Sequence, residues 1–300
     1  MTHHPPATAN FDRRLLILLA LIIAFFTFAV PAPVVADDAK GPQELNQLEN
    51  RLIKDGFSQN YIESTFTQPG VSFSLKGVSL FFVHSESSLN YDQFISNKSI
   101  RNASKYMATH KKNLQAAEDI YGVDKTVITA IILVETRLGT YLGNRLVINT
   151  LATMASLSEK KNKEALWASL SNSKRFTREK FDKKVLKKSK WAYAELQAFL
   201  KFTQREKIDP VTVKGSYAGA MGISQFMPSN ALTLGKDGNG DGKVNLFEHP
   251  DAIHSIANYL KRYGWKPNIN RQKAHKVLYK YNHSNYYVDT LLKISDKLKK

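Results

Sequence analysis

The sequence predicts a mainly α-helical protein, and three observations support that fold class. Apolar residues recur at helical spacing through most of the chain. These stretches are separated by stop signals such as Gly122 and Asp209-Pro210. The composition is that of a globular protein, with 43% hydrophobic and 23% charged residues among 300, and there is no internal repeat. The chain is therefore long enough for one large domain or two modest ones with a real core.

Charge and cysteine content limit the classes of partner and site. The formal net charge of +17 favours a polyanionic partner, which the charge alone leaves open among nucleic acid, an anionic membrane surface and an acidic cell-wall polymer. The absence of cysteine excludes disulfides, thiolate zinc sites, a cysteine nucleophile and a lipid-modified N-terminal cysteine.

The N-terminal segment resembles a secretory signal in its layout. Arg13 and Arg14 precede an apolar run over residues 15–30, and Val34 and Ala36 stand where a signal peptidase would require small residues. We therefore predict a signal peptide over residues 1–36 and a polar linker over residues 37–43. An uncleaved inner-membrane anchor is the alternative, because a run of sixteen residues, apolar except for Thr27, lies near the short end for a membrane span. Either way the chain is exported to the periplasm or cell envelope, which argues against nucleic acid as partner.

The first part of the exported chain alternates between helical and irregular patterns. Residues 44–62 have apolar residues at helical spacing and predict a helix. Residues 71–83 are rich in apolar side chains around two glycines and are interpreted as short extended pieces or a packed loop. The helical pattern returns over residues 100–121, ends at Gly122, and resumes after Asp124, a candidate N-cap.

A carboxylate interrupts the next helix, which is predicted over residues 125–138. The segment is apolar on nearly every side and should lie in the core. Glu135 near its end must therefore be paired, exposed to a cleft, or kept protonated. A helix-end ion pair with Arg137 and a catalytic role are both compatible with the pattern.

A basic stretch and further helices follow. Residues 159–190 hold twelve Lys/Arg against four Asp/Glu, which indicates either a solvated helical face or mobile insertion, or a basic rim that attracts an anionic polymer. An amphipathic helix is predicted over residues 191–202. Three glycines within residues 215–222 then predict an irregular loop suited to close approach by a ligand. The last helices are predicted over residues 251–263, 272–281 and 288–298.

Residues 237–248 (DGNGDGKVNLFE) satisfy the calcium-loop pattern D-x-[DN]-x-[DN]-G-x5-E at every position. Calcium requires six to eight oxygen ligands. Asn245 would contribute directly or through water, and Glu248 would be bidentate. The other expected ligands are side chains of Asp237, Asn239 and Asp241 and the carbonyl of Lys243. An Asp/Gly/Asn turn without metal is the alternative. A single such loop favours a permanently filled bracing site over a calcium switch.

Four ordered segments resemble the membrane-bound lytic murein transglycosylase B family. They are residues 121–139 (YGVDKTVITAIILVETRLG), residues 215–229 (GSYAGAMGISQFMPS), the 237–248 loop with the segment 251–265 after it, and residues 281–287 (YNHSNYY). The resemblance extends over about residues 100–292 and makes residues 44–300 the catalytic domain. It implies a lysozyme-like, goose-type-like catalytic core with an additional helical region and an EF-hand-like calcium loop.

The resemblance also implies an activity on peptidoglycan glycan strands without an organic cofactor. Glu135 would protonate the β-1,4 glycosidic oxygen between N-acetylmuramic acid and N-acetylglucosamine. It would then accept a proton from the muramoyl C6 hydroxyl as the 1,6-anhydro product forms. The substrate N-acetyl group would assist in place of the second carboxylate that ordinary glycosidases use. Tyr281 is expected to orient Glu135. The expected substrate-binding residues are Ser216, Gln225, Tyr259, Tyr281, Asn282, Tyr287 and Trp191.

The chain departs from the family pattern at several positions. Leu138 stands where the family often has a large ring, and Trp191 where a groove tyrosine is common. The lysine-rich stretch before Trp191 looks longer than the family connection. Asp251 offers a second carboxylate beyond Glu248, so which of the two closes the calcium site is open.

Three other functions remain as alternatives at this stage. A muramidase would use the same acid with water as acceptor. A noncatalytic peptidoglycan-binding protein would keep the groove without turnover, and a calcium-sensing interaction protein would use the 237–248 loop as a switch. Membrane contact is expected only through the N-terminal segment if it is uncleaved, and no protein partner is predicted.

Overall fold

The computed structural model describes residues 41–83, 90–170 and 177–300, so the predicted signal peptide and most of the linker lie outside the described residues. The described part is mainly helical, as predicted. Its α-helices are α1 (Asn46–Lys54), α2 (Gln59–Phe66), α3 (Leu75–Val83), α4 (Asn97–Thr109), α5 (Lys111–Tyr121), α6 (Lys125–Thr136), α7 (Val147–Ser156), α8 (Lys160–Leu170), α9 (Arg178–Glu206), α10 (Pro228–Leu234), α11 (His249–Arg262), α12 (Arg271–Tyr281) and α13 (Asn285–Leu298). Short 3₁₀ helices occupy Gln43–Leu45, Tyr91–Ile95 and Pro210–Thr212.

Helix α6 is the buried centre of the part of the fold that carries Glu135. Its residues from Thr126 to Leu133 are all buried, and it packs against α4, α5, α11 and α13. Burying one Val, Leu or Ile side chain contributes about 1.5–3 kcal/mol, so this apolar run fixes α6 in place. The helix ends at Thr136, two residues before the predicted end, because Arg137 and Leu138 adopt positive φ.

Three predicted helices differ from the structure by a break or a long extension, and the last three differ by one to three residues at their ends. The helix expected over residues 44–62 is broken between α1 and α2, where Gly56 has a φ of 101° that a helix does not permit. The helix expected over residues 100–121 is divided at His110, whose ψ of 23° leaves the helical region. The helix expected over residues 191–202 is the second half of the 29-residue α9, which begins in the basic stretch.

The prediction of extended pieces or a loop over residues 71–83 is wrong for most of the segment, since Leu75–Val83 is helix α3. Val78 and Phe82 are both buried and lie one helical turn apart on this helix. Asp124 is the N-cap residue of α6, as predicted, but its side chain makes no capping hydrogen bond and pairs with Lys299 Nζ at 2.7 Å.

The described residues contain one antiparallel pair of two-residue strands, β1 (Arg145–Leu146) and β2 (Lys214–Gly215). The pair joins the segment after α6 to the start of the glycine-rich loop, defined here as Gly215 to Phe226. Across the whole described part, no helix combines the length and apolarity needed to cross a membrane.

Gly143→Ala is expected to destabilise the protein, because the backbone of the loop passes directly over Gly143. A Cβ at this position would lie 2.1 Å from the Gly215 carbonyl oxygen, and Gly143 has a φ of 89°. Strain of this kind costs about 1–3 kcal/mol, and the clash adds to it. Thermal denaturation should show the loss. Gly240→Ala also substitutes a positive-φ glycine but meets nothing within 4 Å, so it controls for the backbone effect alone; equal losses in both variants would contradict the steric argument.

Candidate active site

Glu135 lies one residue before the end of α6, and the chain turns sharply just after it. Arg137, Leu138 and Gly139 all have positive φ, at 50°, 64° and 85°. Left-handed geometry costs about 1–2 kcal/mol at each non-glycine residue, so surrounding contacts must hold the turn. One such contact is the Gly139 N–H, which donates to Thr136 Oγ1 at 3.1 Å. The turn leaves Glu135 half-buried at the end of a buried helix.

The carboxyl of Glu135 is held by a buried phenol from the opposite end of the sequence. Tyr287, in the first turn of α13, donates its hydroxyl to Glu135 Oε1 at 2.6 Å and is 1% exposed. Burial raises the pKa of Tyr287 well above its usual value, and the charge of Glu135 raises it further. The Tyr287 hydroxyl therefore stays protonated at neutral pH and acts as a donor to the carboxyl.

The prediction that Tyr281 orients Glu135 is corrected by this contact, because Tyr287 is the phenol that bonds the carboxyl. Tyr281 Oη instead donates to the Ser224 carbonyl of the glycine-rich loop at 2.6 Å. Burial raises the pKa of Tyr281 well above its usual value, with the charge of Glu135 the next cause. Tyr281 thus lies within electrostatic reach of Glu135 while its hydroxyl fixes the loop.

Tyr259 is buried behind Tyr281 and is not at the surface of a groove. It is 4% exposed, its ring meets the Tyr281 ring edge-on at 4.9 Å, and its hydroxyl donates to the Lys280 carbonyl at 2.7 Å. Its role in the described structure is to support Tyr281. Asn282 is half-buried and opens the turn from α12 to α13, where its carbonyl accepts the Ser284 N–H at 2.8 Å.

The two predicted polar residues of the glycine-rich loop both bond the loop itself. Ser216 Oγ accepts the backbone N–H groups of Ala218 and Ala220 at 3.2 and 3.1 Å. Gln225 has a φ of 48°, and its Nε2 donates to the Gly222 carbonyl at 2.9 Å. The Ser216 hydroxyl still has its own proton to donate, because a hydroxyl that accepts bonds keeps its O–H.

Ile223 connects the loop to two other elements through its main chain. Its N–H donates to the Leu246 carbonyl at 2.8 Å, and its carbonyl accepts Thr136 Oγ1 at 3.1 Å. Thr136 is 1% exposed and directly follows Glu135. The end of α6, the glycine-rich loop and the 237–248 segment are therefore joined by consecutive hydrogen bonds.

Trp191 lies in a separate aromatic group at the side of the loop. Its ring stacks on Phe81 of α3 at a centroid distance of 5.8 Å and an interplanar angle of 15°. Phe81 in turn lies 6.2 Å from the ring of Tyr217 in the glycine-rich loop. Trp191 is half-buried, so part of its ring faces solvent.

The helix-end ion pair between Glu135 and Arg137 is not formed. Arg137 is exposed, and its Nη2 donates to Gln93 Oε1 at 2.8 Å. Of the two interpretations of Glu135 left open by the sequence, the structural ion pair with Arg137 is therefore removed.

The side chains of the predicted calcium loop converge. Asn239 Nδ2 donates to Asp241 Oδ2 at 3.2 Å and to Glu248 Oε2 at 3.0 Å, so two carboxylates approach one amide. Asp237 accepts the N–H groups of Gly240 at 2.6 Å and Gly242 at 2.8 Å. The Gly242 N–H, with its neighbours, holds the pKa of Asp237 below the usual range, so Asp237 is ionised at neutral pH.

Asp251 stabilises the 237–248 loop by hydrogen bonds to its backbone. It is 1% exposed, and its two oxygens accept the N–H groups of Gly238 at 2.8 Å and Asn245 at 2.6 Å. No group of three or more His, Asp or Glu side chains in the described part of the chain is arranged to hold a metal ion. An EF-hand-type donor set also uses an asparagine side chain and a main-chain carbonyl, which here would come from Asn239 and Lys243.

Comparison with known proteins identifies the family. Residues 40–274 match the model of the transglycosylase SLT domain. The chain belongs to this family. It is 34% identical over 173 residues to membrane-bound lytic murein transglycosylase B of Escherichia coli K12, an alignment that covers 58% of this chain and 40% of that relative. The resemblance inferred from the four sequence segments is therefore confirmed.

Solved structures share the fold of this transglycosylase SLT domain. Escherichia coli lytic transglycosylase SLT35, solved with calcium, is 22% identical with a TM-score of 0.67, covering 88% of this chain and 95% of that one. SltB3 of Pseudomonas aeruginosa, solved with NAG-NAM-pentapeptide, is 21% identical with a TM-score of 0.67, covering 86% and 80%. The predicted mainly helical, lysozyme-like fold of lytic transglycosylases is confirmed.

Two residues of the transglycosylase domain site were not predicted from the sequence. Thr136 is one of them, and the signal for it is its place beside Glu135 on an apolar helix, which marks a buried hydroxyl that requires a partner. Phe81 lies in the segment interpreted as extended or loop, and the helical spacing of its apolar neighbours was the signal that would have placed it.

Proposed function

We propose that the chain is a lytic transglycosylase of peptidoglycan, with Glu135 as general acid and then general base. The single observation that carries this proposal is the 2.6 Å hydrogen bond from the buried Tyr287 hydroxyl to Glu135 Oε1, at the end of a buried helix beside the glycine-rich loop. Membership of the transglycosylase SLT domain family supports the reaction class.

In the first step, Glu135 donates a proton to the glycosidic oxygen between N-acetylmuramic acid and N-acetylglucosamine. The bond from that oxygen to muramoyl C1 breaks, and the leaving sugar keeps the proton as a hydroxyl. Because the Tyr287 O–H is directed to Oε1, the acidic proton of Glu135 belongs on Oε2. The same phenol stabilises the carboxylate that proton transfer produces, since hydrogen bonds to a charged group are worth about 1.5–3 kcal/mol.

In the second step, the muramoyl C6 hydroxyl attacks C1. A C6–O–C1 bond forms, and the hydroxyl proton returns to Glu135, so the acid is regenerated and no water is consumed. The developing positive charge at C1 is assisted by the substrate N-acetyl group, which takes the place of a second enzyme carboxylate. One carboxyl thus performs both proton transfers.

The remaining predicted residues are assigned to substrate binding or to its support. Ser216, Gln225 and Asn282 supply hydrogen bonds to sugar substituents, with Ser216 using the proton that its contacts within the loop leave available. Trp191 offers the exposed part of its ring to a sugar face. Tyr259 and Tyr281 hold the loop beside Glu135.

The 237–248 loop would hold a structural Ca²⁺ through Asp237, Asn239, Asp241, Lys243 and Glu248, with Asn245 direct or through water. Both oxygens of Asp251 are engaged by backbone N–H groups, which favours Glu248 as the closing ligand and Asp251 as the brace. When bound, the ion would neutralise the converging carboxylates of the loop. The protein is exported to the periplasm or cell envelope, where its glycan substrate lies.

Product masses distinguish this function from its rivals. Mass spectrometry of fragments that the mature chain releases from purified peptidoglycan should give anhydromuramoyl products, lighter than hydrolytic products by one water molecule. Reducing-end products would indicate a muramidase. Binding without any released product would indicate a noncatalytic peptidoglycan-binding protein.

Tyr287→Phe should lower turnover by about 10–100-fold, because it removes one hydrogen bond worth about 1.5–3 kcal/mol to the charged form of Glu135. Steady-state rates of fragment release test this. Tyr106→Phe is the matched control, since Tyr106 is also buried and its hydroxyl bonds His249 Nδ1 at 2.9 Å and not Glu135. Equal loss of turnover in both variants would mean that Tyr287 acts through stability and not through the carboxyl.

A further inference from the structure

Within the part of the chain that the structure describes, the acids of the first half of α9 pair with lysines and arginines other than Lys187 and Lys188. Asp182 is paired with Lys163 and Arg178, at 3.1 and 3.0 Å, and Glu179 is paired with Lys183 at 2.6 Å. Within the described ranges, neither Lys187 nor Lys188 lies in a salt bridge. With Lys184, one helical turn earlier, these two residues form what we call the lysine row.

Two ammonium groups of the lysine row, those of Lys184 and Lys188, lie over aromatic rings, and Lys187 is exposed beside them. Lys188 Nζ lies 4.5 Å from the centroid of Phe81 and 5.4 Å from that of Trp191. Lys184 Nζ donates to the Phe82 carbonyl at 3.0 Å. Burial lowers the pKa of Lys188, and the charges of Lys184 and Lys187 lower it further. An anion bound here would relieve this repulsion between like charges.

The lysine row is connected to the candidate active site through the glycine-rich loop. Phe81, beneath Lys188, faces Tyr217 of the glycine-rich loop at 6.2 Å. That loop bonds Thr136, next to Glu135, and Tyr281 through consecutive carbonyl groups. A glycan strand along the glycine-rich loop would therefore bring its side branches to the lysine row.

We propose that the lysine row binds the carboxylates of the stem peptides on the peptidoglycan strand, and so favours peptide-bearing over peptide-free glycan. This inference rests on the proposed function. Its occupant is argued from charge complementarity, because every uncapped stem peptide ends in a carboxylate, and from the row's contact with the loop. An anionic membrane is the alternative partner, because Leu186 is 70% exposed beside Lys187. One apolar side chain supplies little membrane affinity, so the membrane is treated as the alternative in the test.

The test compares two substrates and two double variants. Lys187→Gln/Lys188→Gln removes two charges from the row, and Lys293→Gln/Lys297→Gln removes two from exposed positions on α13. The substrates are intact peptidoglycan strands and strands stripped of stem peptides by an amidase. For the row variant we expect KM to rise about tenfold on peptide-bearing strands while kcat stays unchanged. On stripped strands the KM of this variant should change by less than about twofold. The α13 variant should change neither substrate by more than about twofold.

The melting temperatures of the variants check that they fold. Lys188→Arg keeps the charge, so its KM on peptide-bearing strands should stay near that of the unaltered chain. Equal loss on both substrates, or no loss on either, overturns the proposal. Loss of binding to phosphatidylglycerol vesicles with unchanged substrate preference also overturns it, in favour of a membrane contact. Failure of the proposed function is distinguishable, since the unaltered chain would then release no product from either substrate.

Discussion

Glu135→Gln is expected to lower product release from peptidoglycan by about 10²–10⁴-fold, the range that a general acid–base group contributes. Glutamine keeps the size of the side chain and an oxygen that can accept the Tyr287 hydroxyl, so the local structure should persist. It has no proton to give the glycosidic oxygen and no charge with which to take one back. Mass spectrometry of released fragments, with binding to insoluble peptidoglycan measured in parallel, separates loss of chemistry from loss of affinity.

A matched substitution shows whether the effect is specific. Glu179→Gln removes a carboxylate from the exposed start of α9 and should leave release near that of the unaltered chain. If Glu135→Gln retains a substantial part of the activity while binding normally, the acid is another residue and the mechanism proposed here is wrong. If it loses binding and melts at a lower temperature, Glu135 has a structural role.

Chelation of calcium is expected to lower the melting temperature by about 5–10 °C. A ligand present at one hundred times its Kd stabilises the folded state by about 2.7 kcal/mol. For a domain of this size, each kcal/mol corresponds to about 2–4 °C. The reason lies in the loop, where the carboxylates of Asp241 and Glu248 approach one amide, that of Asn239. Among the described residues, neither carboxylate nor that of Asp237 lies in a salt bridge. Thermal denaturation in EDTA and in excess calcium measures the difference.

Asp237→Asn provides the control for chelation, because it removes one predicted ligand charge. The variant should melt at the lower temperature and respond little to EDTA. An unchanged melting curve of the unaltered chain in EDTA would show that the loop is a turn without metal. Activity that follows calcium over its physiological range, with stability unchanged, would instead support a switch.

The helical fold is predictable from the sequence because buried helices leave a strong pattern of apolar residues. The boundaries of the helices are less predictable, because they depend on packing between elements. Residues 125–136 are apolar on nearly all sides, and α6 is buried as that pattern requires. The break at His110 has no proline or glycine to mark it, since it depends on how α4 and α5 pack around the rest of the fold. The sequence does not predict α9 as one continuous helix, because charged residues dominate its first half and apolar residues its second half.

Site residues were predictable where the type of side chain is decisive, and less so where geometry decides. A single carboxylate at the end of an apolar helix singled out Glu135. The sequence does not show which tyrosine contacts Glu135, because Tyr281 and Tyr287 lie on two successive helices and the angle between these helices sets the direction of each side chain. Tyr281 was therefore assigned the contact that Tyr287 makes.

The hydrogen bonds through Ile223 restrict the amino acid at each connected position to a different degree. Ile223 contributes only its amide and carbonyl to the two hydrogen bonds, and its side chain is 2% exposed in the hydrophobic core, so an apolar residue of similar size preserves both bonds there. Position 136 contributes a side-chain oxygen, and of the common residues only serine replaces threonine with the same reach. The middle of this connection therefore accepts any apolar side chain that fills the same space, whereas its end beside the carboxyl requires a hydroxyl.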